Sequence, residues 1–292
     1  IAAVAPCAGD QAQVTGTVNA PPNAGADGAL TVCDAGAPAG LFASLSGAQV
    51  GGTWTAPGGG AFSGTYDPAI DGGGVFTYTV AGTAPCAADQ ATVTVIETGS
   101  PNAGTDGAIT LCASSPGTDL FAQLTGAQVG GTWTAPGGAS HSGTFDPSFD
   151  IAGAYTYTLA ASAPCISDAA QVSVSIVSPP NAGTDGMLTV CDQGAGTALF
   201  PTLAGADAGG TWTDPGGAAS SGTYEPSVDV GGVYTYTVNG IAPCVADQAT
   251  VTVNETSSPD AGVDGGLILC ANAVPVDLST GLNGADAGGV WT

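Results

Sequence analysis

The sequence predicts an all-β protein built as a tandem array of small antiparallel β-sandwich domains. The array is predicted by period: four tryptophans stand 79 residues apart, and two series of four cysteines keep the same interval. A fixed period of this length identifies a repeated unit. The strands are predicted by pattern, because short runs alternate apolar and hydroxyl residues and each run is closed by Gly, Pro or Asp.

The first repeat, residues 20–98, gives the order of elements. A Pro/Gly/Asx segment at 21–28 marks the linker and the first turn. Strands are predicted at 29–33, 41–45, 51–55, 62–67, 74–80 and 90–96. In the fifth strand Phe76, Tyr78 and Val80 share one face and threonines the other. Six or seven short strands in a unit of this size predict a small immunoglobulin-like antiparallel β-sandwich.

The period also sets the domain boundaries. We predict the end of a preceding repeat, three complete repeats and the start of a further repeat, at 1–19, 20–98, 99–177, 178–256 and 257–292. Both ends of the chain fall inside a repeat, so we expect the parent protein to be longer. Each complete repeat has one tryptophan after Gly-Gly-Thr, and Trp291 follows Gly-Gly-Val at the equivalent place. This setting predicts a core anchor rather than a sugar-binding face. These anchors are Trp54, Trp133, Trp212 and Trp291.

The charge excludes several classes of partner. The chain has no Lys or Arg among 292 residues, and 24 carboxylates give it a net charge of −24. Such a surface repels nucleic acid and anionic lipid. No apolar run approaches the roughly 20 residues that a membrane-spanning helix needs. We therefore expect no nucleic-acid partner and no membrane insertion, and we expect association with neighbouring copies, with a glycan or protein ligand as a further candidate.

The cysteines predict disulfides. Their spacing alternates between 53 and 26 residues, with no C-x-x-C motif and no recurring histidine, which argues against zinc. The favoured pairing lies inside each repeat and joins Cys33 to Cys86, Cys112 to Cys165, and Cys191 to Cys244. The alternative pairing links neighbouring repeats through 7–33, 86–112, 165–191 and 244–270. Either pairing implies an oxidising, extracellular location.

An Asn/Asp pair recurs in every linker and offers a candidate calcium site. Oxygen ligands at a domain junction suit a hard cation that stiffens it. The competing interpretation, which we favour, is an Asx turn followed by a glycine, without any cofactor. The candidate ligands are Asn23, Asp27, Asn102, Asp106, Asn181, Asp185, Asp260 and Asp264.

The sequence predicts that the protein is not an enzyme. A nucleophilic triad needs a histidine, and the single histidine, His141, aligns with Phe62 and Ser220 of the sister repeats. We predict that it is an exposed loop residue. The recurrent aspartates stand in Asp-Gly and Asp-Pro turns, where they cap backbone amides rather than form a glycosidase pair.

The order TVC, GGTWT, GTYDP, GVFTYTV, APC and DQATVTV resembles the immunoglobulin-like or PKD-like repeats of very large secreted surface proteins of Bacteroidetes, of adhesin or filament type. The resemblance spans the whole chain. It implies extracellular modules stacked in a stalk or filament at the cell surface. The alternative function is an adhesin array that binds glycan or protein through its loops.

Overall fold

The computed structural model describes residue 2 and residues 4–292, so residues 1 and 3 of the predicted partial repeat 1–19 lie outside the described residues. The described residues form β-strands and short 3-10 helices and contain no α-helix, which confirms the all-β prediction. By contacts the chain divides into two compact units, Ile1–Ala108 with Asp119–Phe145 and Gly153–Ser173, and Ile109–Thr118 with Asp146–Ala152 and Val174–Thr292.

The first repeat lies in the first unit and supplies a complete sandwich. Its strands are β1 (Gly28–Cys33), β2 (Ala39–Gly40), β3 (Thr53–Thr55), β4 (Ala61–Phe62), β5 (Thr65–Tyr66), β6 (Gly74–Val80) and β7 (Asp89–Thr98). The large sheet has the strand order β1-β7-β6-β3-β4, and β2 pairs with β5 in a separate two-stranded sheet. A 3-10 helix, Leu41–Ser44, follows β2.

The second repeat has the strands β8 (Gly107–Cys112), β9 (Thr118–Asp119), β10 (Thr132–Thr134), β11 (Ser140–His141), β12 (Thr144–Phe145), β13 (Gly153–Leu159) and β14 (Asp168–Val177). Its five-stranded sheet has the equivalent order, β11-β10-β13-β14-β8. Its 3-10 helix is Phe121–Gln123.

The third repeat lies in the second unit and has the strands β15 (Gly186–Cys191), β16 (Thr197–Ala198), β17 (Thr211–Thr213), β18 (Ala219–Ser220), β19 (Thr223–Tyr224), β20 (Gly232–Val238) and β21 (Asp247–Thr256). Its large sheet has the same order, β15-β21-β20-β17-β18, and β16 pairs with β19. Its 3-10 helix is Phe200–Thr202. Each large sheet lies within one predicted repeat, whereas the two compact units do not follow the repeat boundaries, which stay a prediction.

One edge of the sandwich departs from antiparallel pairing in the first and third repeats. Strand β1 runs parallel to β7, with Gly28 opposite Val93 and Cys33 opposite Thr98. Strand β15 pairs with β21 in the same parallel register. The first and last strands of a repeat therefore end side by side, at the point where the chain leaves for the next repeat.

The core follows the predicted period of two. Phe76, Tyr78 and Val80 of β6 are buried, and Val93 and Val95 of β7 pack in the same cluster. Each such side chain contributes about 2 kcal/mol by leaving water. The threonines between them stay at the surface or half-buried, so the alternation in the sequence is the alternation between core and solvent.

The Gly-Gly-Thr-Trp motif builds the centre of this core. Trp54 is buried against Tyr78, with ring centroids 4.9 Å apart. The Tyr78 hydroxyl donates to the carbonyl of Gln49 and accepts from the amide of Gly52, both at 2.7 Å. A Cβ on Gly52 would lie 2.6 Å from the tyrosine ring, so a side chain there is excluded. Trp133 and Trp212 are buried against Tyr157 and Tyr236 in the same way.

The fourth tryptophan does not act as a core anchor, and that prediction is wrong for Trp291. Its side chain is 58% exposed. Residues 257–292, all of which the structure describes, contain no strand and carry one 3-10 helix, Leu278–Gly281.

His141 is also placed differently from the prediction. It lies in β11, is half-buried, and its ring packs against Tyr155 at a tilt of 58°, with centroids 4.8 Å apart. Its Nδ1 accepts the amide of Gly143 at 3.1 Å. The equivalent Phe62 packs on Phe76, so this position is a partly covered aromatic site rather than an exposed loop.

Candidate functional site: the repeat junction

The recurring site of this chain is a disulfide that joins one repeat to the next. Cys33 ends β1, opposite Thr98 at the end of β7. Cys165 belongs to the following repeat, in the turn before β14, where its amide bonds to the carbonyl of Ser162. The two sulfurs are bonded at 2.02 Å, with 5.0 Å between the Cα atoms and 132 residues between the cysteines. We call this bond a junction disulfide.

The next pair of repeats has the same bond. Cys112 is joined to Cys244, again with 5.0 Å between the Cα atoms and a separation of 132 residues. In both cases the second cysteine lies against the last residue of the preceding repeat. The Cys165 sulfur is 3.2 Å from the carbonyl oxygen of Thr98, and the Cys244 sulfur is 3.4 Å from that of Val177.

Both predicted pairings are therefore wrong, and the parallel edge strand explains why. Cys86 precedes β7, whereas Cys33 lies opposite the last residue of β7. A strand of ten residues separates these two ends by roughly 30 Å. A disulfide needs Cα atoms within about 7 Å, so Cys33 cannot reach Cys86 in its own repeat. Cys165 cannot pair as in the alternative scheme, because it is bonded to Cys33 rather than to Cys191.

Two predicted disulfide cysteines, Cys86 and Cys191, are free thiols in this structure, as are Cys7 and Cys270. Cys86 is equivalent to Cys165 and has the same surroundings, with its sulfur 3.7 Å from the carbonyl of Asn19. Cys191 is equivalent to Cys33, and its sulfur lies 3.1 Å from the Ser258 hydroxyl. Each free thiol thus occupies one half of the arrangement that forms a junction disulfide elsewhere in the chain.

An Asp–Ser contact fastens the linker beside the junction cysteine. Ser100 donates its backbone N–H and its hydroxyl to Oδ1 of Asp34, at 2.8 and 2.5 Å. Asp192 and Ser258 form the same contact in the third repeat. In both pairs the serine hydroxyl, followed by its amide, lowers the pKa of the aspartate. The second repeat has Ala113 and Pro179 at these positions, so both partners are replaced together.

The linker Asn residues form Asx turns. Oδ1 of Asn23, Asn102 and Asn181 accepts the amide of the glycine two residues later, at 2.8–2.9 Å, and Asp260 does the same at 2.7 Å. These glycines have positive φ, as the favoured interpretation requires.

The linker Asp residues have a different role from the Asn residues. Oδ1 of Asp27 accepts the amide of Thr92, at the start of the last strand, and Asp106 and Asp185 bind the amides of Gln171 and Thr250. Asp264 is exposed. A second series that the sequence reasoning missed, Asp89, Asp168 and Asp247, accepts the amides of Ala24, Ala103 and Ala182.

The fit of these residues to calcium is limited. Calcium takes six to eight oxygen ligands, whereas each of the first three linkers offers one Asn and one Asp whose Oδ1 atoms already bind backbone amides. Among the described residues, the cluster of three potential ligand groups lies elsewhere, at Cys33, Asp34 and Cys165, where two members are joined in the disulfide. Calcium at the linkers stays a prediction.

A shallow groove of about 650 Å³ lies beside the first junction and is lined by residues 99–101, 127–129 and 159–162. None of these described residues has an ionisable side chain. The groove therefore offers no ionisable side chain for acid–base chemistry. No helix among the described residues is long and apolar enough to cross a membrane.

Neither protein-family models nor curated protein sequences gave a match to the chain. Solved structures that are similar to it include titin domains I67–I69 in an E-to-A mutated variant, at 11% identity, with 79% of this chain and 97% of that chain covered and a TM-score of 0.45. Extracellular domains 3–5 of Drosophila OTK match at 12% identity, with 83% and 100% covered and a TM-score of 0.33. No function follows from similarity at this level.

Proposed function

We propose that this chain is part of an extracellular structural stalk or filament, built from tandem immunoglobulin-like modules that are linked by disulfides at the cell surface or in a matrix. The observation that carries the proposal is the recurrence of one junction disulfide at both of the junctions between complete repeats. A bond placed between modules, rather than inside them, serves the continuity of the array.

Composition supports an extracellular location. Disulfides persist in oxidising compartments, and the four bonded cysteines recur in register with the repeats. The resemblance of the motifs to secreted Bacteroidetes surface repeats points the same way. Antibody labelling of intact cells that express the parent protein should decorate the surface. Labelling only after permeabilisation would contradict the proposed location.

Imaging tests the structural role. Negative-stain electron microscopy of the purified chain should show modules in line, as isolated stalks or as thin filaments. Because a chain of net charge −24 repels its copies, we expect assembly to increase at high salt or with divalent cations. Extended monomers at every salt and calcium concentration would contradict the filament and support an isolated stalk. Compact particles would contradict both the stalk and the filament.

A second candidate function, an adhesin array, is favoured by exposed apolar residues at one loop position. Ile70, Phe149 and Val228 occupy the same place in the three repeats, and each side chain is more than three-quarters exposed. An apolar residue kept at a loop tip suits contact with a ligand. Replacing all three with serine should abolish binding in a glycan or protein array, whereas Val50→Ser with Val129→Ser, also exposed, should not. Unchanged binding in the triple variant would exclude this loop.

A further inference from the structure

The two junction disulfides enclose overlapping stretches of chain. One ring runs from residue 33 to residue 165 and the other from 112 to 244, so residues 112–165 belong to both. Every peptide bond between residues 33 and 244 is therefore inside at least one closed covalent ring. This includes the linkers at both junctions between complete repeats.

We propose that the junction disulfides form a second covalent load path, which bypasses the peptide linkers and keeps the array in one piece when a linker is cut. The mechanical use of this path rests on the proposed structural function. Its existence rests on the connectivity of the disulfides alone.

The route that tension takes follows from that connectivity. Force applied at the two ends passes along the chain to Cys33, across to Cys165, back through the second repeat to Cys112, and across to Cys244. Fewer than half of the residues lie on this route. Fully drawn out it spans about 490 Å, against about 1,050 Å for the reduced chain of the same sequence. Segments 34–111 and 166–243, which contain both linkers, carry no load on this route.

The linkers are the segments that most need such a bypass. Gly99 of the first linker is exposed, as is Ser178 at the equivalent place in the second. Exposed segments rich in glycine, proline and small polar residues are the preferred sites of proteolysis. No Lys or Arg is available for an ion pair that would fasten the linkers.

The absence of Lys and Arg makes a single-cut experiment available. The substitution Gly99→Lys introduces the one trypsin site in the chain, within the first linker. It should fit, because a Cβ at Gly99 meets only Asp34 Oδ2, at 3.8 Å. The full-length variant is alkylated to block free thiols, digested, and run under denaturing conditions with and without reductant. We expect one band of full mass without reductant, and fragments 1–99 and 100–292 with it.

Ser257→Lys is the matched control, because residue 257 is equivalent to Gly99, is exposed, and gives the same Lys-Ser-Pro sequence. No disulfide among the described residues spans it. Trypsin should release residues 258–292 from this variant without reductant. Adding Cys33→Ser to Gly99→Lys should make the first cut separate the fragments without reductant as well.

Each other outcome overturns the proposal. Separation of both single-site variants without reductant would place the disulfides inside the repeats. Retention of both would place them at 86–112 and 244–270. A failure of the structural function would show instead as compact particles in electron microscopy, with the digestion pattern unchanged.

Discussion

At the scale of the residue, the junction depends on carboxylates that have no cationic partner. Serine donors make the strongest contacts to Asp34 and Asp192, and these contacts lower the pKa of both groups. The folded form thus favours the ionised aspartate. The contacts stabilise the junction above the ordinary aspartate pKa of about 3.9, and this stabilisation is lost as the pH falls through the lowered value.

Replacing Ser100 and Ser258 with alanine should therefore raise the pKa of Asp34 and Asp192 towards the ordinary value. An NMR titration of the aspartate carboxyl carbons measures this shift. The melting temperature should fall more steeply below about pH 4 in the natural chain than in the double variant. Equal pKa values in the two proteins would show that the serine contacts do not form in solution.

At the scale of the element, the strand that carries the tryptophan depends on a glycine without a side chain. Gly52→Ala would place a methyl group 2.6 Å from the Tyr78 ring and from the Thr79 carbonyl. Overpacking of this kind costs about 1–3 kcal/mol. We expect the loss in denaturant unfolding of the first repeat, whereas Gly60→Ala, which meets no atom within 4 Å, should be neutral. Equal stability of the two variants would contradict the tyrosine–glycine contact.

The elements also show how far the sequence could predict the structure. Alternation in 74–80 and 90–96 predicts strands with the buried face observed, because burial itself has the period of two. The pairing of Cys33 was predicted wrongly because a period of 79 residues makes separations of 53 and 132 equivalent. Only the parallel register of β1 and β7, which no local pattern encodes, decides between them.

At the scale of the whole molecule, stiffness at the linkers has two candidate sources, calcium and covalent bonds. The Asn and Asp oxygens of the linkers already accept backbone amides. We therefore expect EDTA to leave the melting temperature and the small-angle scattering profile unchanged. A lower melting temperature after chelation, restored by calcium, would establish the metal at these residues.

The junction disulfides should instead set the stability of the array. Closing a loop of 132 residues contributes up to about 5 kcal/mol in the chain-entropy model. The double variant Cys33→Ser with Cys165→Ser should therefore lower the melting temperature of the first two repeats in calorimetry. Reductant should cause no further decrease through this bond, because the variant lacks it.

The control is the double variant Cys86→Ser with Cys191→Ser, which removes two free thiols at the equivalent positions. It should leave the melting temperature unchanged. The two double variants change the same kinds of residue at equivalent places, so a difference between them isolates the bond between repeats. If Cys86→Ser with Cys191→Ser is the destabilising pair, those cysteines are bonded in solution and the connectivity of the junctions is different.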